Sequence, residues 1–283
     1  MHTIQINDDT YTLPQSWDEL TLAQLRHLVK LTQSDIPVEE IKIHMMLYCL
    51  DAHVGRHKDI FHDKVHLVIG QQSEKINFRV RKNSYMLTPE EISRLADLFH
   101  YLIHLDESKY GSDFDHYYIN PDLNTNPLPT LRCRLRKFTG PDDQLLDITF
   151  EQYMYIQAYL DSMKSTPEHI DYLLACLWHS DKKFDINRLD RDASILHHLP
   201  SDIKMVLYWF ILGSLNLIAA NYPRVFSGTS GGNGRVFDSQ MRLLDSLAQS
   251  DMTKKPEVRK GYLIDALYSM DESLRRGEEA NSE

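Results

Sequence analysis

The sequence predicts a mainly α fold of the α+β type, a helical body carrying three short β-hairpins that each lead into a helix. Two observations predict it. Apolar residues recur at helical spacing over most of the chain, and three short runs alternate apolar with polar residues around turn-forming positions. The composition agrees: 42% hydrophobic and 25% charged residues over 283 positions are enough to build a packed core and too apolar for a disordered chain.

The first hairpin is read over Thr3 to Leu13, turning at Asn7-Asp8-Asp9, with Ile4 and Ile6 on one face. Ser16-Trp17-Asp18-Glu19 has the spacing of a capping box and predicts the start of a helix bearing Leu22, Leu25, Leu28 and Val29. A second helix is expected from Pro37 to Ala52. The second hairpin spans Lys75 to Leu87, turning near Lys82-Asn83, and Thr88-Pro89-Glu90-Glu91 supplies cap, first-position proline and box closure for the next helix. The third is expected over Leu131 to Ile148, with Gly140-Pro141-Asp142-Asp143 as its turn and Thr149 with Gln152 opening an aromatic-rich helix. Beyond it the pattern is helical: Pro167 to Trp178, Pro200 to Asn221, Val236 to Gln249 and Pro256 to Arg276. Residues 1–125 read as a hairpin-plus-helix region and 126–283 as a mainly helical region with the third hairpin, or the whole is one domain.

The charge balance excludes some functions. Lys plus Arg is 31 against 41 for Asp plus Glu, a net charge of −10 that opposes bulk binding to nucleic acid. Cys49, Cys133 and Cys176 are too few and too scattered for a disulfide framework or a sulfur-rich metal site. The N-terminal residues show no secretory pattern. Met205 to Ala220 is the most apolar run, shorter than the ~20 residues of a membrane span, and is expected to be a buried central helix.

Three constellations could carry chemistry. His53, His57, His62 and His66 form a histidine cluster in which the first two have the i, i+4 spacing of helical metal ligands, but no HExxH is present. The Gly-rich SGTSGGNGR lacks the lysine and hydroxyl residue of a phosphate-binding loop and reads as a linker. Arg79 and Arg81, and Arg132, Arg134 and Arg136, alternate with apolar residues. If their strands share a sheet, they line one five-arginine face able to hold phosphates or an acidic partner. No nucleophile signature is found and no cofactor is expected.

The run FTGPDDQLLDITFEQYMYIQAYL, followed by IDYLLACLWHSDKKFD, Arg188 and Arg191, resembles proteins encoded in phage and prophage tail modules. In that group a Gly-Pro turn and an LT-F-E-Y helix start precede an LLA-LY-R-P-like segment. Here the last reads Leu173-Leu174-Ala175-Cys176-Leu177-Trp178-His179, without the Arg-Pro, and TYTLPQSWDELTLAQLRHL is similar to the opening of such proteins. The resemblance implies a non-enzymatic role in virion morphogenesis, as a tail assembly chaperone or structural protein. Its partners would be other phage tail proteins, with no membrane involved, in the bacterial host cytoplasm or on the virion. Leu263, Leu267 and Met270 on the last helix are expected to face the core, and become candidate client contacts where the C-terminal helix pair, joined by the Gly-rich connector, acts as a mobile flap. The alternative reading is a nucleic-acid-associated protein using the arginine-lined strands, and after it a metal-dependent enzyme built on the histidines.

Overall fold

A computed structural model of the chain describes residues 1–34, 36–54, 75–105, 117–181, 183–226 and 236–282. They form two compact units, Met1–Asp122 and Leu123–Glu283. The fold is mainly helical, with small antiparallel sheets of two or three strands.

In the first unit, β1 (His2–Ile6) and β2 (Asp9–Leu13) pair with Ile4 opposite Tyr11, and Asn7 takes the left-handed turn position at φ 53°. The helix that follows does not start at Ser16. Ser16 makes no capping bond, and Trp17–Glu19 is a single 3₁₀ turn that the extended Leu20 ends. The Glu19 carboxylate instead accepts from Gln15 N at 2.8 Å. Thr21 with Gln24 forms the working capping box of α1 (Leu22–Thr32), and α2 (Val38–Leu50) follows, ending on Asp51 in the left-handed region. β3 (Ala52–Val54), β4 (Ile76–Val80) and β5 (Asn83–Leu87) form an antiparallel sheet in that order. The expected box at Thr88 and Glu91 opens α3 (Pro89–Ala96), which tightens into a 3₁₀ turn ending at Leu102. β6 (His104–Leu105) pairs with β7 (Tyr117–Tyr118). Trp17, Leu25, Leu28, Met45, Met46, Phe78 and Phe99 are fully buried, and the Trp17 indole donates to Tyr101 O at 3.2 Å.

In the second unit, the hairpin is shorter than expected. β8 (Thr130–Cys133) pairs with β9 (Arg136–Thr139), turning at Arg134-Leu135 rather than at Gly140-Pro141-Asp142-Asp143. Gly140 has another duty. A Cβ there would lie 2.2 Å from Trp178 Nε1, so only glycine lets the chain pass the buried indole, which donates to Leu128 O at 2.8 Å. The 140–146 loop then supports residues 123–128: the Asn126 side-chain amide donates to Pro141 O and its backbone N–H to Asp143. Thr149 and Gln152 cap α4 (Phe150–Ser162) as predicted. The segment read as one helix from Pro167 is a 3₁₀ turn followed by the short α5 (Ile170–Ala175).

The core of this unit is built on α6 (Leu189–Leu196) and α7 (Ser201–Asn221). Val206, Leu207, Phe210 and Ile211 of α7 are fully buried with Phe138, Phe150 and Trp178. Gly213 lies where the backbone of Leu123 crosses the helix; a Cβ there would sit 2.5 Å from Leu123 O. At 21 residues α7 is long and apolar enough by length and composition to cross a bilayer, which the shorter run Met205 to Ala220 is not, and 44% of its most apolar window is buried within the chain. A single turn at Pro223–Phe226 precedes α8 (Val236–Leu247). The predicted last helix is divided: α9 (Lys255–Lys260) stops at the extended Gly261, and α10 (Leu263–Ser282) begins beyond it.

Candidate interaction surface

The five arginines do not share one sheet face. Arg79 lies in the β3–β4–β5 sheet, whereas Arg132 and Arg136 lie in the separate β8–β9 hairpin, and the two sheets belong to different units. Within each hairpin the turn interrupts the alternation that was to align the guanidinium groups. Arg81 and Arg134 are turn residues, at φ 52° and 53°. Arg132 pairs across the ladder with Lys137 on the exposed face, while Arg136 stands opposite the buried Cys133. The nucleic-acid reading therefore loses the continuous arginine face on which it stood.

Leu263 and Leu267 are fully buried, and Met270 is half-buried. Leu263 and Leu267 thus face the core, as their spacing predicts. The start of α10 is also tied down rather than flap-like. Phe150 N donates to Gly261 O at 2.9 Å, Leu263 N donates to Ile148 O at 2.9 Å, and Thr149 bridges Tyr262. The sequence placed these leucines correctly on one helical face, but periodicity does not say what that face meets.

Of the histidine cluster, His53 lies in β3 opposite Arg79, so it is not on the helix that an i, i+4 ligand pair requires. His57, His62 and His66 lie outside the described residues, as does the Gly-rich segment SGTSGGNG. Among the described residues, no group of three or more His, Cys, Asp or Glu is placed to hold a metal ion.

Two polar pairs have the ingredients of catalysis in the wrong arrangement. His169 Nδ1 lies 2.8 Å from Ser162 Oγ, but that hydroxyl donates its proton to Tyr159 O at 2.9 Å. The imidazole must then be the donor, the reverse of what activates a serine. The buried Asp171 holds the exposed His197 through Nδ1 at 2.7 Å and pairs with Lys204 at 2.5 Å. No hydroxyl or thiol is bonded to His197 among the described residues, so this group fixes the α6–α7 corner, where Lys204 also caps His197 O at 2.9 Å. The thiols are poor nucleophiles: burial pushes Cys49 up to about 12 and raises Cys133 and Cys176 as well. The depressions around Thr253, Pro256, Glu257 and Lys260, and around Met241, Arg242 and Lys255, are open and shallow.

The surface with the most to offer another chain is on α7. Asp202, Val206, Trp209, Phe210 and Gly213 point into the unit, whereas Met205, Tyr208, Leu212, Leu215 and Ala219 are only half-buried. These five recur at alternating intervals of three and four, so they form one continuous apolar stripe. The sequence predicts an apolar central helix here. A helix apolar on every side carries no periodic signal to show which side is left uncovered.

No family model, curated protein or solved structure matches the chain.

Proposed function

We propose that this chain is a non-enzymatic structural or assembly protein of a phage or prophage tail, working in the host cytoplasm through contacts with other tail proteins, as a tail assembly chaperone does. The resemblance of the Gly140 and Thr149 region to tail-module proteins supplies the setting, and the half-exposed stripe on α7 carries the reading. A helix apolar around its whole circumference is normally enclosed, and each leucine left partly in water forgoes stabilisation at ~25 cal/mol per Å² of apolar surface still exposed. Alternation of three and four is the spacing by which one helix offers a seam to another. An assembly chaperone needs such a seam to shield an apolar helical segment of its client until the client is built in.

Deleting the gene from a phage or prophage that carries it, and imaging induced lysates by electron microscopy, tests this. Loss of normal tails is expected. Wild-type protein should restore them, and a Leu212→Glu/Leu215→Glu variant with an unchanged circular dichroism spectrum should not. Normal tails from the deleted strain would overturn the proposal.

A further inference from the structure

The β8–β9 hairpin ends in a tip whose composition is unusual for a turn. Leu135 is 103% exposed, the most exposed of the chain's large apolar side chains among the described residues. Arg134 beside it holds φ 53°, a left-handed conformation that glycine or asparagine adopts at low cost and a long side chain does not. Asn7 fills the corresponding position of the first hairpin, and Arg81 that of the second at φ 52°. Arg132, Arg134, Arg136 and Lys137 are all exposed, and none makes an ion pair among the described residues, although the chain carries ten more acidic than basic groups.

The tip is also firmly mounted. Leu131 and Phe138 are buried at its base, Cys133 Sγ donates to Ile195 O at 3.0 Å, and Thr139 exchanges backbone bonds with His179. A strained residue persists only where its surroundings impose it. The hairpin supplies that rigidity, so binding at the tip would cost little ordering entropy.

We propose that the Arg134-Leu135 tip is a docking knuckle for an acidic polypeptide segment, with Leu135 entering an apolar position between carboxylates that the flanking cations neutralise. Charge complementarity selects this occupant. Guanidinium groups pair with carboxylates through two parallel hydrogen bonds, which orders a short peptide around the leucine. An extended polyanion fits less well, because DNA or an anionic bilayer reaching beyond the tip meets the field of a chain whose net charge is −10. The tip also has no aromatic ring on which a base could stack. The inference rests on the proposed function only in taking the partner to be a protein; its surface is distinct from the α7 stripe.

Selection of random peptides displayed on filamentous phage against the immobilised full chain tests this. The selected peptides should combine Asp or Glu with a Leu, Ile or Phe. Synthetic copies should bind at least tenfold more weakly to an Arg134→Glu/Arg136→Glu variant and to Leu135→Ser, and more weakly as salt is raised. Peptides without acidic residues, no selected peptide at all, or equal binding to both variants would overturn the proposal. So would tighter binding of a 20-nucleotide single strand or of phosphatidylglycerol vesicles at the tip. Peptides lost only with Leu212→Glu/Leu215→Glu would remove the knuckle and leave the assembly reading standing.

Discussion

Gly140 shows how one residue can be singled out by sequence for the wrong reason. Gly-Pro before two aspartates has the chemistry of a turn, and the expected hairpin was drawn around it. The glycine is needed because Trp178 occupies the space of its missing Cβ, and that indole comes from a segment far along the chain. Gly140→Ala should therefore displace Trp178, breaking its bond to Leu128 O and its edge contact with Phe210. Overpacking and the lost bond together should lower stability by about 2–4 kcal/mol in urea unfolding. His27 makes the second prediction at this scale. Its ring stacks on Tyr48 at 4.1 Å, and burial, with His44 and Lys30 adding repulsion, lowers its pKa to about 4. The unfolded chain takes up this proton near pH 6.5 and the folded chain near 4. Stability is thus fully present above 6.5 and falls as pH drops from 6.5 towards 4. His27→Phe should keep the stacking and make the urea midpoint less dependent on pH between 7 and 5; an unchanged dependence would assign it to other groups.

Helix beginnings were legible where local chemistry met no competitor. Thr88 with Glu91 and Thr149 with Gln152 form the expected boxes, because both partners of each box lie within one turn. Ser16 with Glu19 has the same spacing and fails, since Thr21 with Gln24 caps the helix instead. The division of the last helix at Gly261 was not legible. The carbonyl of Gly261 is drawn out to satisfy Phe150 N, one of the orphan amides of α4, from a residue remote in sequence. Since α10 is fastened there and buries Leu267 completely, Leu267→Ala should cost about 2–5 kcal/mol, while Met270→Ala should cost less than about 1.5 kcal/mol. Near-zero losses at both positions would revive a detached flap.

For the molecule as a whole, the class of fold followed from periodicity alone, because a mainly helical chain with a few alternating runs has few ways to bury its apolar stripes. The candidate surfaces did not follow. The arginine strands had the right residues and the right alternation, but sheet membership is decided by pairing, and Arg79 and Arg132 pair in different sheets. The α7 stripe was hidden in the opposite way, in a run so uniformly apolar that no side stood out. In each case the missing information was what lies across from a residue, which spacing along one strand or helix does not contain.

The fastening of α10 onto the opening turn of α4 has a consequence for how the protein is made. Ile148 and Phe150 leave the ribosome long before Gly261 and Leu263, the residues that complete their hydrogen bonds. Until those are synthesised, the Phe150 amide and the Ile148 carbonyl must be held by water, and the start of α4 rests on its own capping box alone. A nascent chain stalled before Gly261 should accordingly remain open to proteases at the start of α4.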